Sequence, residues 1–237
     1  GRNPAWISGG IEKGGKIIWS QPEILLYESE PAVRMSYPDL IEQDGNYWIT
    51  ETNKADARVH KIPNEFLNTL WSQFDINEVE KNNLIAEWGK SEIPEKGELD
   101  VPSHTEDTFE DGFTLDFRLV LANLKSGQLI LSSTDERGKR IELKTGNFGA
   151  IEISMSDGEQ TDSWSSDPGI VKANGVEHCI SVTVDSGPHV IQFVIDGVHN
   201  NGRECRQFGW GRYTGDMREF NFNNIEVNKM AGEYVNI

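Results

Sequence analysis

Three side chains that could take part in acid–base chemistry lie in one short aromatic segment, residues 34–58. Tyr37 and Asp39 are two positions apart, and Glu51 ends the next apolar run. Residues two apart on a strand project from the same face, so Tyr37 and Asp39 are predicted to share a pocket. A tyrosine hydroxyl with a pKa of about 10 is a poor nucleophile unless a neighbouring carboxylate accepts its proton. The alternative is an ordinary exposed hairpin with polar strand ends.

Two further ionisable residues accompany this segment. Arg34 lies just before it, and Glu23 lies at the start of an earlier apolar run. Glu23 and Glu51 could form the acid pair of a glycosidase, with a separation that the fold would set. Solvated glutamates at strand ends are the other interpretation, and the spacing does not decide between them.

A second set of residues could bind a sugar rather than cleave it. Trp164, Asp167, Trp210 and Arg212 would combine aromatic surface with carboxylate and guanidinium partners, and Asp157 is a further candidate at the same rim. Tryptophan presents a broad apolar face with a polar edge, which suits stacking on a sugar ring. The alternative is that both tryptophans pack loops onto the core.

The elements that must position these residues are predicted to be strands. Asp44-Gly45 between two apolar runs is a strong hairpin signal. Residues 57–62 alternate with period two and predict one more strand, followed by a short helix over 65–71 with Asn64 as its N-cap. Residues 16–62 therefore amount to about four strands, the size of one propeller blade or a small sheet.

The rest of the chain predicts an all-β sandwich after an acidic connection. Residues 75–111 are rich in Glu, Asp, Lys and Asn and have few large apolar residues. From residue 112 onward, short strands alternate with Gly- and Pro-containing turns at regular spacing. We predict an all-β chain with a partial propeller-like sheet at 1–74, a connecting segment at 75–111 and a jelly roll at 112–237.

Composition narrows the range of partners. The formal net charge of −17 makes nucleic acid and anionic membrane surfaces poor partners. No apolar run reaches membrane-spanning length. The five histidines show no metal-ligand spacing, so we predict no metal site among them. Cys179 and Cys205 could be bridged or free, and the sequence leaves both open.

Residues 112–237 resemble the concanavalin A-like and laminin-G-like jelly rolls. The resemblance rests on Gly112-Phe113-Thr114-Leu115-Asp116-Phe117, on Ile191-Gln192-Phe193-Val194-Ile195-Asp196-Gly197 and on the glycine-rich loop at 206–212. It implies a domain that binds glycans or accompanies a catalytic domain. Loop aspartates hold Ca²⁺ in this superfamily, so Ca²⁺ stays open as a ligand; no cofactor is otherwise indicated, and no EF-hand type of loop is present.

Residues 17–71 are similar to the last blade of the sialidase-type β-propeller of bacterial glycan-degrading proteins. The similarity is carried by Trp19-Ser20-Gln21-Pro22-Glu23, Ser36-Tyr37-Pro38-Asp39-Leu40 and Tyr47-Trp48-Ile49-Thr50-Glu51. It implies Tyr37 as nucleophile and Glu51 as the support of a substrate-binding arginine. The sequence departs from that pattern at Pro38 and has no Asp-box repeat. The same segment also resembles arabinanase-like and invertase-like hydrolases, which would make Asp39 the functional residue.

These resemblances imply the C-terminal portion of an exported, sialidase-like glycoside hydrolase of bacterial type. Its jelly roll would assist glycan binding or stability, and the remaining blades would come from a parent or second chain. The site would be incomplete in this chain. Two alternatives stay open: a non-catalytic, lectin-like carbohydrate-binding module, and a structural or interaction jelly roll. The resemblances also imply a secreted, periplasmic or cell-surface protein. Gly1-Arg2-Asn3-Pro4 is not an initiating sequence, so the chain is processed, tagged or a piece of a longer one, and a signal peptide could have been removed.

Overall fold

Antiparallel strands provide nearly all of the regular structure. The computed structural model describes residues 3–30, 32–76, 81–102, 110–228 and 232–236. The chain divides into two compact units, Gly1–Lys81 and Asn82–Ile237. This division falls within the predicted connecting segment 75–111, most of which therefore belongs to the second unit.

The first unit contains seven strands and one helix within its described residues. They are β1 (Ala5–Ile7), β2 (Gly10–Lys13), β3 (Lys16–Trp19), β4 (Glu23–Leu26), β5 (Ser36–Gln43), β6 (Asn46–Thr52), β7 (Ala57–Ile62) and α1 (Asn64–Ser72). The strands lie in three small sheets: β1 with β4, β2 with β3, and β5-β6-β7. The described residues thus do not form the single propeller-like sheet that the sequence predicts. β4 pairs with β1 and β3 pairs with β2, so residues 5–13 supply the partners of both strands.

The predicted hairpin at Asp44-Gly45 is confirmed. Both turn residues have positive φ, 52° and 73°, which is the conformation of a type I′ turn. β7 and the short helix are also present where the sequence predicts them. The helix has Pro63 rather than Asn64 at its N-cap and no side-chain cap, so the predicted capping role of Asn64 is wrong.

The first unit has a small core on one face of its three-stranded sheet. Ile49 of β6 and Ile62 of β7 pack with Leu67 and Leu70 of α1. These positions alternate along the strands, as expected for a sheet with one face packed on a helix. The apolar spacing of α1 therefore fixes which face of β5-β6-β7 is covered.

The second unit contains twelve strands within its described residues. They are β8 (Lys96–Asp100), β9 (Gly112–Leu121), β10 (Leu129–Thr134), β11 (Arg140–Thr145), β12 (Ile151–Ser156), β13 (Thr161–Ser165), β14 (Glu177–Asp185), β15 (Val190–Ile195), β16 (Val198–His199), β17 (Trp210–Arg212), β18 (Asn224–Asn228) and β19 (Gly232–Asn236). One sheet has the order β13-β12-β11-β10-β18-β8. The other has the order β16-β15-β14-β9-β19, with β17 also pairing with β15.

Two sheets enclose one apolar core, so the predicted all-β sandwich is confirmed at that level. Alternate residues of each strand supply the core, for example Phe117 of β9, Ile141 of β11 and Phe193 of β15. Tyr234 of β19 is completely buried, and its hydroxyl donates a hydrogen bond to the carbonyl oxygen of Ile130 in the opposite sheet. Pairing of inward-facing positions across the two sheets is the packing expected of a sandwich.

Three strands of the second unit differ from the prediction. β8 comes from the predicted connecting segment and pairs with β18 at the edge of the six-stranded sheet. β13 is short and polar and lacks an alternating signal, and β17 lies in a stretch predicted to be a loop. Among the described residues, no helix has the length and apolarity that crossing a membrane requires.

Candidate functional site

Tyr37 lies in a bulge at the free edge of the three-stranded sheet. Its φ is 54°, and the pairing of β5 with β6 shifts register between Ser36 and Asp39. Its side chain is 76% exposed. The prediction that Tyr37 and Asp39 share one face rests on regular alternation, which this bulge interrupts.

Asp39 and Glu51 project from opposite faces of the sheet. Asp39 pairs with Thr50, and directly opposed residues share a face. Glu51 is the next residue along β6, so its side chain points to the other face, where Ile49 belongs to the core. The structure therefore does not bring Asp39 and Glu51 into one site.

Within the described residues, neither Arg34 nor Glu23 makes a hydrogen bond or an ion pair with Glu51. Arg34 is exposed, and Glu23 begins β4, where its carboxylate accepts a hydrogen bond from Gln73 Nε2 at 2.9 Å. Desolvation raises the pKa of Glu23, and the Gln73 hydrogen bond opposes that shift. No hydrogen bond or ion pair between described residues joins Glu23 to Glu51, so the predicted acid pair is not assembled here.

Glu51 instead belongs to an ion-pair cluster at the end of β6 and β7. Glu51 is 1% exposed, and its Oε1 accepts a hydrogen bond from Arg58 Nε, directly across the strand pair. Arg58 also donates from Nη1 to Glu28 Oε1 at 2.6 Å. The hydrogen bonds that Arg58 donates to the two carboxylates raise its pKa, the bond to Glu28 contributing most. His60 Nε2 lies 3.5 Å from Glu51 Oε1.

This cluster leaves one acceptor atom unused. Glu51 Oε2 is buried and has no hydrogen-bond partner among the described residues. A buried carboxylate oxygen without a donor carries a desolvation cost, so the cluster is less completely satisfied than a purely structural pair would be. The arginine that Glu51 supports is Arg58, a residue that the sequence does not single out.

In the second unit, Trp164 and Asp167 meet at Arg206, a half-buried arginine. Arg206 places its guanidinium carbon 4.3 Å from the centre of the Trp164 ring. The same group donates to Asp167 Oδ1 at 2.8 Å and to the Ser165 carbonyl at 2.6 Å. Asp167 is 1% exposed, and its backbone N–H donates to Asn200 Oδ1 at 2.7 Å. These contacts fasten the loop after β16 to β13, and they leave Asp167 inaccessible to a ligand.

Trp210 and Arg212 face the opposite way from this cluster. Gly211 lies between them and contacts Trp164, and a Cβ added there would come within 2.5 Å of Trp164 Cγ. Because Trp164 packs against the core and side chains alternate along a strand, Trp210 and Arg212 project from the outer face of the second sheet. The sequence places all four residues in one set, whereas the structure divides them into a pair that contacts Arg206 and a pair on the outer face of the second sheet.

Polar side chains continue from Trp210 across the outer face. The strand registers place Trp210 opposite Gln192, Gln192 opposite Thr183, and Thr183 opposite Thr114. The hydroxyl oxygens of the two threonines are 3.2 Å apart. We call these four residues the Trp210 row. With strands about 4.8 Å apart, the row extends for roughly 14 Å.

The Trp210 row has charged and aromatic neighbours. Arg212 lies 5.5 Å from the centre of the Trp210 ring and donates a hydrogen bond to the Pro188 carbonyl at 2.9 Å. Burial lowers the pKa of Arg212, although a guanidinium stays cationic at neutral pH. Phe208 packs against Trp210 with ring centres 5.2 Å apart. His199 Nε2 lies 3.2 Å from Gln192 Oε1, so that nitrogen carries the proton and donates it to the amide oxygen.

Asp157 has a structural role in the contacts that it makes. Its carboxylate accepts backbone hydrogen bonds from Glu159, Gln160 and Asp216, which lower its pKa. It thereby ties the loop around Gly215 to the hairpin of β12 and β13. Among the described residues, no group of three or more His, Cys, Asp or Glu side chains could hold a metal ion. Of the five histidines for which the sequence predicts no metal site, His104 lies outside the described residues.

Both cysteines are free thiols in the structure. Cys179 is half-buried on β14 and Cys205 is exposed. Burial raises the pKa of the Cys179 thiol, which keeps it protonated. His178 is buried, with Nδ1 2.8 Å from Asp196 Oδ2 and Nε2 accepting the Lys172 backbone N–H at 3.1 Å. This pair of contacts secures the turn after β15.

Comparisons with known proteins give weak structural likenesses. No protein-family model and no curated protein sequence matches the chain. Among solved structures, the CBM40 of the Ruminococcus gnavus IT-sialidase bound to α2,3-sialyllactose gives a TM-score of 0.39 at 13% identity, covering 54% of this chain and 73% of that one. The same module bound to α2,6-sialyllactose gives 0.37 at 14% identity, covering 54% and 74%.

A glycoside hydrolase of family GH43, engineered to show endo-xylanase and exo-arabinofuranosidase activity, gives a TM-score of 0.32 at 13% identity. That likeness covers 92% of this chain and 66% of the hydrolase chain. All three TM-scores lie below 0.5, so these likenesses carry no argument about the ligand or activity of this chain.

Five residues that the sequence does not identify as site candidates belong to the Trp210 row or to the carboxylate–arginine pairs. Gln192, Thr183 and Thr114 join Trp210 only through strand pairing, and Arg58 and Arg206 are found only through their carboxylate partners. Alternation along each strand could have placed the first three on an outer face. The order of the strands, which brings them into one row, is not visible in the sequence.

Proposed function

We propose that the second unit is a carbohydrate-binding module that holds a glycan on the Trp210 row. The observation that carries the proposal is an aromatic ring followed, across four adjacent strands, by an amide and two hydroxyl groups. A sugar presents an apolar ring face and a rim of hydroxyl groups, so it is complementary to one aromatic platform with nearby donors and acceptors. Rigid strands hold these groups in place before the ligand arrives, which lowers the entropy cost of binding.

The roles of the four predicted sugar-binding residues are then unequal. Trp210 and Arg212 contact the glycan in this proposal, because they lie on the outer face. Trp164 and Asp167 act indirectly by holding Arg206 and Gly211, which position β17. The module itself carries out no chemistry.

Replacement of Trp210 by alanine tests the proposal. Titration calorimetry with a panel of neutral and acidic oligosaccharides, including sialyllactose, would identify a ligand of the unmodified chain. We expect Trp210→Ala to weaken binding of that ligand at least about tenfold, because stacking area is lost at the centre of the site. Trp19→Ala is the matched control, since Trp19 is 62% exposed in the first unit and lies outside the row. Equal affinity of Trp210→Ala and the unmodified chain would refute the proposal.

We propose as a second function that the first unit supplies residues to a glycoside hydrolase site completed outside this sequence. Two observations favour it: Tyr37 is exposed in a left-handed bulge, and the buried Glu51 supports Arg58. In this hypothesis Tyr37 is the nucleophile of a sialidase-like reaction, and the protein acts outside a bacterial cell. The chain by itself would be inactive, because the acid and the other substrate-binding arginines are supplied elsewhere.

Hydrolysis of a fluorogenic sialoside by the parent enzyme would test this second function. Loss of a catalytic nucleophile typically costs several powers of ten in rate, so Tyr37→Phe should lower kcat at least about a hundredfold. Unchanged hydrolysis by Tyr37→Phe together with loss of activity in Asp39→Asn would favour the arabinanase-like interpretation, in which Asp39 is functional.

A further inference from the structure

The three-stranded sheet of the first unit has a second apolar face that its own core does not use. Ile41, Trp48 and Lys61 are directly opposed on β5, β6 and β7 and point away from Ile49 and the core. Asp39, Thr50 and Val59 form the adjacent row of the same face. We call these six residues the outward face.

An apolar diagonal crosses the outward face from Ile41 to Val59, and both of these corner residues are accessible. Ile41 is 40% exposed and Val59 is 65% exposed, with Trp48 half-buried between their strands. A sheet with apolar residues on both sides is typical of an inner layer, covered on each side by another layer. Within the described residues of the first unit, the core built with α1 covers only the side of Ile49 and Ile62.

The charges of the outward face lie at opposite corners. Asp39 stands on β5 in one row, and Lys61 stands on β7 in the other row. Within the described residues, neither makes an ion pair or a side-chain hydrogen bond. The remaining corners of the face are Ile41 and Val59. A two-fold axis in the plane of the face, running along the diagonal from Ile41 to Val59, places Asp39 of one copy over Lys61 of the other. The face is therefore complementary in charge to a second copy of itself.

We propose that two copies of this chain associate through their outward faces. The apolar diagonals pack on one another, and Asp39 of each copy pairs with Lys61 of the other. The symmetry requires the strands of the two sheets to cross at a large angle, which is one of the two common ways in which sheets pack. The free edge of β5 is a poorer place for the second copy, because Pro38 and the bulge interrupt its hydrogen-bonding groups.

The association is expected to be weak and orientation-specific. The face is smaller than the roughly 800 Å² per partner that stable complexes bury. The net charge of −17 on each copy also opposes association, so screening by moderate salt should strengthen the dimer while the two ion pairs still select its orientation.

Sedimentation equilibrium of the full chain tests the proposal over concentrations from about 1 μM to about 500 μM. We expect a reversible monomer–dimer equilibrium. Asp39→Lys should raise the dissociation constant at least about tenfold, because it places like charges opposite each other. The double variant Asp39→Lys, Lys61→Asp recreates the complementary corners and should return the constant to within about threefold of its original value.

Two further variants separate this face from other causes. Glu12→Lys changes the net charge by the same amount as Asp39→Lys but lies on β2, so it should leave the dimer intact. Val59→Asp should abolish the dimer, and circular dichroism would show that the variant stays folded. A chain that is monomeric throughout the range, or a dimer that Asp39→Lys and Val59→Asp leave unchanged, would overturn the proposal. Failure of the double variant to recover would overturn the proposed orientation.

Discussion

Each unit of the protein contains a buried carboxylate paired with an arginine, but the two pairs are completed differently. In the sandwich, both oxygens of Asp167 have an arginine nearby, Arg206 at 2.8 Å and Arg203 at 3.8 Å, and the ring of Trp164 covers the Arg206 guanidinium. The unpartnered atoms there are donors, Arg206 Nε and Trp164 Nε1, among the described residues. In the first unit, Glu51 binds Arg58 through one oxygen, and its second oxygen has no partner among the described residues. The first pair closes a loop onto a thick core, whereas the second lies at the end of a single three-stranded sheet.

Both pairs join a carboxylate to a guanidinium, so the difference between them comes from the structure that surrounds each pair. A sandwich has two layers, so a buried ion at its edge can be enclosed by loops from both sheets. The small sheet of the first unit has one covered face, so fewer groups are available to satisfy Glu51. The comparison predicts that the sandwich depends more strongly on its pair for stability than the first unit does.

Asp167→Ala is the change with the largest expected effect. It leaves the Arg206 guanidinium partly buried without its carboxylate, and breaking such a pair costs about 3–5 kcal/mol of unfolding free energy. Urea unfolding followed by tryptophan fluorescence would measure the loss. Asp167→Asn keeps an acceptor for Arg206 and should cost less. An unchanged urea midpoint for Asp167→Ala would contradict the view that this pair fastens the loop.

Alanine substitutions at two glycines, one in each unit, compare how tightly the two units are packed. Gly211→Ala places a methyl group against the Trp164 ring, which the Arg206 contact holds in place, and overpacking of this kind costs about 1–3 kcal/mol. Gly10→Ala in the first unit meets Ile17 Cγ2 at 2.9 Å and the exposed ring of Trp19 at 3.1 Å. Those side chains can move into solvent, so the loss should stay below about 1 kcal/mol. Similar melting temperatures for both variants would remove this contrast.

Glu51→Gln should destabilise the protein less than Asp167→Ala. The substitution removes a buried charge that is incompletely satisfied, and Arg58 keeps its bond to Glu28, so we expect a loss of about 1–2 kcal/mol in urea unfolding. Glu28→Gln, at the exposed end of the cluster, is the matched control and should cost at most about 1 kcal/mol. If Glu51→Gln lowered the free energy of unfolding as much as Asp167→Ala, the two pairs would contribute equally to stability, which contradicts the comparison.

The smallest expected effect is a pH dependence in the sandwich. Burial lowers the pKa of His199 from its ordinary value of 6.5. The unfolded chain therefore binds this proton more readily, and the His199 contribution to stability is lost as the pH falls through 6.5. We expect His199→Gln to reduce the difference in Tm between about pH 7.5 and about pH 5. An unaltered difference would show that His199 does not contribute to it.

The strands that the sequence predicts well are those with local signals. The Asp44-Gly45 turn fixes the hairpin of β5 and β6, and the alternation of β9, β14 and β15 marks their inward faces. β13 was not predictable in this way, because Thr-Asp-Ser-Trp-Ser has no apolar alternation and becomes a strand only by pairing with β12. The same holds for β17. Its Gly211 has no room for a side chain, because a Cβ there would clash with the Trp164 ring of the other sheet.

For the candidate site residues, too, the sequence predicts the local features but not the tertiary contacts. The sequence identifies Trp210 and Arg212 as side chains with the right chemistry, but it groups them with Trp164 and Asp167, which contact Arg206 instead. It pairs Tyr37 with Asp39, but a bulge breaks the alternation on which that pairing depends. The proposed catalytic roles of Tyr37, Asp39, Glu51, Arg34 and Glu23 remain predictions.

The sequence by itself determined the all-β class, the hairpins and the side chains available for chemistry, because turns and alternation depend on near neighbours. The tertiary structure decided which of those side chains meet. Neighbours in a sheet are distant in the chain, as Thr114 and Trp210 are, and strand order depends on the total burial of both sheets. Burial of the whole sandwich also decides that Asp167 is an enclosed partner of Arg206, and strand register places Trp210 on the outer face.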